Sequence, residues 1–315
     1  MPALSRIKFD KVEDFLSEIR RSNKKWWEQN RNSPWVFRGI GDADNWKLLP
    51  SAWRETSGSL MPLIAKIASL ELPILELPSA IEETPILRQY LEWTNAEEEA
   101  LFRFANVANE LGFDVDAGYY QPNRSPILNG KLRRNNDECF SGAASLAQHH
   151  GIPTRLLDWT NSPIVAAYFA AEFSPPDSKN ICVWSLNTKY LAFQGHSDDL
   201  FKPFRIMIFR PQRSSNNFLH SQSGVFTTVS NLSSSDSYSE LEKYFLLHQK
   251  WPALEEIITD MCCELPILIS HELSIEHAQE LLWVLEKEGI TKASLMPTLD
   301  NVASVVKAKW NSHYF

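Results

Sequence analysis

The stretch "QHHGIPTRLLDWTNSPIVAAYFAAE", residues 148–172, joins a polar half to a small, apolar half. The polar half holds two histidines, an arginine, an aspartate and a tryptophan, and an alanine-rich run follows it. Ser162 and Pro163 at the junction are typical of a helix start, because serine can cap a helix and proline suits its first position. We therefore predict a helix over 163–172, whose small residues let a neighbouring element approach closely.

The polar half is predicted to lie between this helix and a preceding one, "SGAASLAQHHG", which ends at Gly151. His149 and His150 close the first helix, and Asp158 and Thr160 come just before the second. A helix start carries unpaired N–H groups and a partial positive charge, so this junction could receive an anion such as a phosphate. The alternative is that Asp158 caps these groups and that the histidines have only structural roles.

A second polar segment is "FRGIGDADNWKLLPSAWRE", residues 37–55, in which Arg38 ends an apolar run and is followed by Gly39 and Gly41. An arginine at a strand end can hold a diphosphate or a carboxylate, because its planar fork donates two parallel charge-assisted bonds. The alternative is a structural arginine paired with a nearby acid such as Asp42.

A third segment is "HSQSGVFTTV", residues 220–229, where Gln222 and Gly224 lead into a predicted strand. Its plainer interpretation is a turn glycine beside an exposed amide. None of the three segments has a Ser/His/Asp arrangement, a P-loop or a G-x-G-x-x-G turn.

The rest of the chain reads as mixed helices and strands without an internal repeat. Apolar spacing predicts a helix from the beginning of the chain to about Asn30, and the pattern is mostly helical between 56 and 120, with its clearest helix capped by Asn95 and ending at Gly112. Residues 114–137 read as a surface connection. The predicted strands are "WVFRGI", "ICVWSL", "RIMIF", "GVFTTV" and "LPILIS", and Ser274 is predicted to cap a helix that ends at Gly289 before a final helix.

Early helices followed by strand-rich sequence predict an α+β fold. We expect one domain over 1–315, with a helical N-terminal region and a helical insertion at 56–136. The 315 residues, 43% of them hydrophobic, are enough for a substantial core.

Composition limits the partners and cofactors that we expect. A formal net charge of −8 provides no overall field for phosphates, so indiscriminate nucleic-acid binding is not expected. The cysteines Cys139, Cys182, Cys262 and Cys263 form no C-x-x-C pair, and no H-E-x-x-H spacing occurs, so we predict reduced core cysteines and no metal. There is no signal-like start and no apolar run of about 18 residues, which predicts a cytoplasmic protein away from membranes.

The sequence resembles the FRG domain family, whose name-giving tripeptide stands here as Phe37-Arg38-Gly39. The resemblance runs through "FRGIGDADNWKLLPSAWR", "AQHHGIPTRLLDWTNSPIVAAYFA", "SQSGVFT" and "LWVLEKEGITKASLMPTLDNVA", and it covers roughly residues 35–308. Membership of this family does not by itself imply an activity.

A second resemblance, to ADP-ribosyltransferases, implies a chemistry and a split β-sheet core. Those enzymes have an arginine on a first strand that holds the NAD diphosphate, a hydroxyl-bearing turn before a helix, and a glutamate motif that opens a later strand. The matching positions here are Arg38, Thr160 with Ser162, and Gln222. The chain departs from that pattern at Gly224, where the catalytic glutamate would stand.

This departure leaves three alternatives for the chemistry. Breaking the bond between nicotinamide and ribose passes through a cation-like transition state, which a fixed carboxylate or polar group stabilises. Either Gln222 orients the ribose, or Asp158 supplies the carboxylate, or the site is inactive. With Asp158 preferred, the resemblance implies catalytic roles for Asp158, Gln222 and His150, and NAD-binding roles for Arg38, Gly39, Arg155, Trp159, Thr160 and Ser162.

The implied function is that of an NAD-consuming ADP-ribosyltransferase, a toxic effector of a bacterial toxin–antitoxin or phage-defence system. NAD would be its substrate, RNA or protein its acceptor, and an antitoxin protein its neutralising partner. The alternatives are a non-catalytic module that binds a nucleotide or a partner, and a hydrolase or nuclease that uses His149, His150 and Asp158.

Overall fold

The computed structural model describes residues 3–28, 33–54, 60–71, 84–113, 115, 127–128, 131–132, 137–192, 204–210, 224–231, 237–261 and 266–311. Within these residues the strands are β1 Leu4–Phe9, β2 Trp35–Ile40, β3 Ile127–Leu128, β4 Lys131–Leu132, β5 Leu156–Thr160, β6 Asn180–Asn187, β7 Phe204–Phe209, β8 Gly224–Asn231 and β9 Leu268–Ser274. The helices are α1 Val12–Ile19, α2 Met61–Glu71, α3 Pro85–Glu110, α4 Asp137–His149, α5 Pro163–Glu172, α6 Ser237–His248, α7 Leu254–Asp260, α8 Ala278–Lys287, α9 Lys292–Leu295 and α10 Leu299–Asn311.

A seven-stranded mixed sheet, in the order β1-β9-β6-β2-β5-β8-β7, organises these elements. The edge pair β1 and β9 is parallel, and the other neighbours are antiparallel. Strand β2 pairs with β6 along its whole length, but it pairs with β5 only where Phe37 faces Thr160. The predicted mixed α+β class is therefore confirmed, and the sheet has a weak point between β2 and β5.

Apolar clusters cover both faces of the sheet. One cluster contains the indole and phenol rings of Trp53, Tyr90, Trp93 and Trp251, whose contacting centroids lie 5.3 to 5.8 Å apart. The other cluster joins α1, α5 and α8 to the opposite face. Cys182 is a free, buried core cysteine, as predicted, and the side chains of Cys139, Cys262 and Cys263 lie outside the described residues.

Helix α5 packs unusually close to strand β2, and this contact explains Gly39. A Cβ atom at Gly39 would overlap the carbonyl oxygen of Ala166 and would lie 2.6 Å from the nitrogen of Ala170. At Gly41, a Cβ would lie 2.6 Å from the Cα atom of Ser174. The alanine-rich run thus allows the close approach predicted for it. Gly39 in β2 and Gly41 just after it are required by packing rather than by flexibility.

Several sequence-based boundaries were wrong. The predicted first helix is preceded by β1, whose residues pair with β9, and helix α1 begins only at Val12. Asn95 does not cap a helix, because α3 begins ten residues earlier at Pro85 and Asn95 is buried inside it. The segment ahead of α5 was predicted as a junction between two helices, but it contains strand β5, which ladders on both sides hold in the sheet.

Other boundaries agree or shift slightly. Helix α5 begins at Pro163 as predicted, although the Ser162 side chain makes no capping bond. Ser274 likewise makes no side-chain capping bond, and a short 3₁₀ turn follows it before α8. Most of the predicted 114–137 connection lies outside the described residues. No helix of the described part is both long and apolar enough to cross a bilayer.

We predict that Gly39→Ala lowers the free energy of unfolding by about 3 kcal/mol, because helix α5 must move away from β2. The matched control is Gly289→Ala, which has open space around the new Cβ but a φ of +80°, and which should cost about 1 kcal/mol. Urea unfolding of the two variants measures both costs. Equal costs would contradict the close contact between β2 and α5.

Candidate functional site

A cavity of about 390 Å³ opens where the pairing between β2 and β5 ends. Its walls come from β2, β5, the start of β8, the end of α4 and one side of α5, together with the segment that follows β2. The size is within the range of small-molecule sites, about 300–1,000 Å³. The divergence of two central strands therefore creates a candidate ligand site.

Arg38 crosses the gap between β2 and β5. Its Nη1 donates a hydrogen bond of 2.7 Å to the main-chain oxygen of Asp158 and lies 3.6 Å from the Oδ2 atom of the same residue. Only 17% of the side chain is exposed. Asp42, the alternative partner, instead accepts bonds from the main chain of Asp44 and Asn45. The arginine thus replaces the missing ladder bond between the strands.

The Nε–H group of Arg38 is buried and has no hydrogen-bond partner among the described residues. Burial lowers the pKa of Arg38, and the nearby Asp158 carboxylate opposes this effect. A buried donor without a partner costs about 1–3 kcal/mol, and more when the group is charged.

Asp158 presents a positioned carboxylate to the cavity. Its side chain is 58% exposed, and Oδ2 accepts a bond of 2.6 Å from Nε2 of Gln148. The amide oxygen of Gln148 in turn accepts a bond from the Thr154 hydroxyl, which fixes the amide so that its NH₂ group faces Asp158. Asp158 therefore does not cap helix α5.

Thr160 is the last residue of β5, and Ser162, two residues later, does not line the cavity. Thr160 lines the cavity, and its Oγ1 accepts a bond of 3.1 Å from the main-chain N–H of Ser162. Gly224 lies opposite Thr160 in the β5–β8 ladder and lines the same cavity. Gln222, two residues earlier, lies outside the described residues.

Trp159 cannot stack on a ligand as expected. The indole is buried in the core, and its Nε1 donates a bond of 2.9 Å to Thr227 Oγ1. Trp159 is one of the lining residues although its indole is buried, and Gly39 lines the cavity next to α5.

The two adjacent histidines are both exposed, and their ring centroids lie 5.2 Å apart. His149 lines the cavity, whereas His150 stacks on Phe104 with the centroids 6.3 Å apart and does not line the cavity. Partial burial and, to a smaller extent, the charge of His150 lower the pKa of His149. The Asp158 carboxylate has the opposite, smaller effect. The predicted catalytic role of His150 is therefore not supported by its position.

Arg155, expected to bind a nucleotide phosphate, has a different role. The side chain is only 5% exposed, and its Nε lies 2.7 Å from Oε2 of the fully buried Glu97 on α3. Glu98 lies 3.6 Å from the same guanidinium. Although burial alone would lower it, these carboxylates raise the pKa of Arg155. Arg155 therefore ties β5 to α3 and does not line the cavity.

Sequence reasoning missed part of the cavity wall. Arg54 lines it and was not among the predicted site residues. Trp46, which is almost half exposed, also lines the cavity. Phe169 and Phe173, one turn apart near the end of α5, stack with their centroids 5.9 Å apart and form an aromatic wall. Arg54 could have been found because it is the last residue of "FRGIGDADNWKLLPSAWR", a block that carries the FRG resemblance. Phe169 and Phe173 had no such signal, since they resemble ordinary core residues of an apolar helix.

The described residues include no group of three or more histidine, cysteine, aspartate or glutamate side chains that could hold a metal ion. The cavity instead combines guanidinium groups, one carboxylate and an aromatic wall.

Residues 120–179 match the family model of the FRG domain. The resemblance predicted from the sequence is therefore confirmed over a segment that includes α4, β5 and α5, the side of the cavity with Gln148 and Asp158. Comparisons with curated proteins gave no match, and comparisons with solved structures gave none either.

We predict that Glu97→Gln destabilises the fold by about 3–5 kcal/mol, because it leaves the buried Arg155 charge without its partner. The matched control is Glu92→Gln on the same helix, which breaks the exposed pair with Arg88 and should cost less than about 0.5 kcal/mol. Thermal unfolding distinguishes them. A small cost for Glu97→Gln would mean that the Arg155 pair is not structural.

Proposed function

We propose that the chain is an NAD-dependent ADP-ribosyltransferase whose substrate occupies the cavity between β2 and β5. The observation that carries the proposal is the fixed pair of Arg38 and Asp158 at the point where the two strands part. A cation for a diphosphate and a carboxylate for a developing positive charge are the two groups that cleavage of NAD needs.

Arg38 is assigned to the diphosphate. Arg38 lines the cavity, and its planar guanidinium can donate parallel charge-assisted bonds to phosphate oxygens. The stacked rings of Phe169 and Phe173 offer an apolar wall for a planar ring of the same ligand.

Asp158 is assigned to the ribose. In the reaction, the bond between C1′ of the ribose and the nicotinamide nitrogen breaks, and its electron pair leaves with nicotinamide. The carboxylate stabilises the positive charge that develops on the ribose, and an acceptor nucleophile then forms the new bond to C1′. The bond from Gln148 holds the carboxylate in place, so little reorganisation is needed.

His149, rather than His150, is assigned to the proton of the acceptor nucleophile. It lines the cavity, and burial keeps its pKa below the usual value, which favours the neutral imidazole that can accept a proton.

The proposed biological setting is that of a toxic effector in a toxin–antitoxin or phage-defence system, with an RNA or protein acceptor and a neutralising antitoxin. It rests on the resemblance to ADP-ribosyltransferases and on the FRG match.

A non-catalytic nucleotide-binding module is the second candidate. It is favoured by Gly224, which offers no carboxylate where the resemblance places a glutamate. The hydrolase or nuclease alternative loses support, because one of its three groups, His150, does not line the cavity.

The first test is nicotinamide release from NAD by the purified chain in the presence of candidate RNA and protein acceptors. We predict that Arg38→Ala lowers the rate by about 100-fold, since it removes charge-assisted bonds worth about 3 kcal/mol, while the fold persists. Arg103→Ala, on the exposed surface of α3, is the matched control and should keep the full rate. An unchanged rate in Arg38→Ala would exclude Arg38 as the diphosphate ligand, and no nicotinamide release by the wild type with any acceptor would exclude the transferase.

We further predict that Asp158→Asn slows nicotinamide release by about 10²–10³-fold, because the amide keeps the shape but loses the charge that the transition state needs. The control is the exposed Asp177→Asn, which should have the full rate. Nucleotide binding that persists in Asp158→Asn, together with no turnover in the wild type, would favour the binding module instead. A lowered melting temperature without a rate change would make Asp158 structural.

A further inference from the structure

Arg54 enters the cavity from a segment that is firmly attached to the beginning of β5. It follows the short 3₁₀ helix Ser51–Trp53, whose Ala52 N–H donates a bond of 3.1 Å to the main-chain oxygen of Thr154. The Ser51 hydroxyl also accepts a bond of 3.1 Å from the Thr154 N–H. Thr154 is the residue that orients Gln148, so one anchor holds both Arg54 and the Asp158 carboxylate.

The guanidinium of Arg54 is only partly engaged. Its Nε donates a bond of 2.8 Å to the main-chain oxygen of Leu49, which fixes the direction of the side chain. Arg54 lines the cavity together with Arg38. The fold thus uses one donor of Arg54 for positioning and presents the guanidinium at the cavity wall.

The charges at the cavity do not balance. Lys47 also lines the wall, but its Nζ is paired with Glu256 at 2.9 Å. Arg38 and Arg54 then face the single carboxylate of Asp158. Burial and, to a smaller extent, the positive charge of Arg38 lower the pKa of Arg54 to about 10. The negative charge of Asp158 acts in the opposite direction and raises it. The two guanidinium groups therefore repel each other in a chain whose net charge is −8.

Two close cations beside one carboxylate are stabilised when an anion with more than one charge enters between them. A guanidinium binds phosphate oxygens through parallel N–H donors, and two of them can hold two linked phosphates. We propose that Arg38 and Arg54 together form a diphosphate site and that Arg54 makes the site select a nucleoside diphosphate over a monophosphate. This rests on the proposed function for the identity of NAD, but the anion site can be tested without turnover.

The test is isothermal titration of the full-length chain with ADP, AMP and adenosine. We expect the wild type to bind ADP more tightly than AMP, and AMP more tightly than adenosine. Arg54→Gln should weaken ADP binding about 10-fold or more, the value of one charge-assisted contact, while adenosine binding stays the same. The matched control is Arg103→Gln on the exposed face of α3, which should bind all three ligands like the wild type.

A second variant keeps the test valid if Arg54→Gln does not fold. Arg54→Lys retains the charge but loses the planar fork, so its ADP affinity should fall between those of the wild type and Arg54→Gln. Raising the salt concentration should weaken ADP binding to the wild type more than adenosine binding. Arg54 variants that fold and bind ADP as tightly as the wild type would overturn the proposal.

The outcomes separate this proposal from the proposed function. If the wild type releases nicotinamide and the Arg54 variants keep full ADP affinity, only the role of Arg54 is overturned. If ADP binding depends on Arg54 but no nicotinamide is released with any acceptor, the diphosphate site is supported and the transferase activity is excluded. If the wild type binds ADP no better than adenosine, the diphosphate site is overturned.

Discussion

The contact on which the cavity depends is the hydrogen bond from Arg38 to the main-chain oxygen of Asp158. Strands β2 and β5 are neighbours in the centre of the sheet, yet their ladder is limited to Phe37 and Thr160. A central strand usually satisfies its main-chain groups with both neighbours. Here a guanidinium satisfies one of them instead, and the two strands leave space beside this contact. The same interaction thus has a structural effect and creates the site.

The position of Arg38 in turn depends on packing behind the sheet. Gly39 lets the backbone of β2 lie against α5, whose alanine-rich face accepts it. Successive residues of a strand face opposite sides of the sheet. Since Gly39 faces α5, the side chain of Arg38 leaves β2 on the other side. The tripeptide Phe37-Arg38-Gly39 is therefore one unit, with the ring of Phe37 in the core, the arginine at the cavity and the glycine at the helix contact.

The elements that could be predicted from sequence are those with a local signal. The Ser162-Pro163 pair marks the start of helix α5, which begins at Pro163. Apolar or β-branched runs mark strands β2, β6 and β8. Strands β1 and β5 have weaker patterns, interrupted by charge, and they become strands because neighbouring strands pair with them. The same distinction holds for the site. Arg38 and Asp158 lie in short sequence motifs that indicate a site. Arg155 lies in such a motif too, but its partner Glu97 is 58 positions away in the sequence, so only the structure shows that this arginine is structural.

The charge distribution limits what the cavity can select. A net charge of −8 opposes long polyanions, because binding a nucleic-acid backbone needs many phosphate contacts at once. Arg38 and Arg54 concentrate positive charge in one small cavity, which suits a short anion such as a diphosphate. An RNA acceptor would then have to be held mainly through its bases, by stacking on exposed rings such as Trp46 and Phe173 at the cavity. In the proposed transferase, charge would therefore matter for the diphosphate and much less for the acceptor.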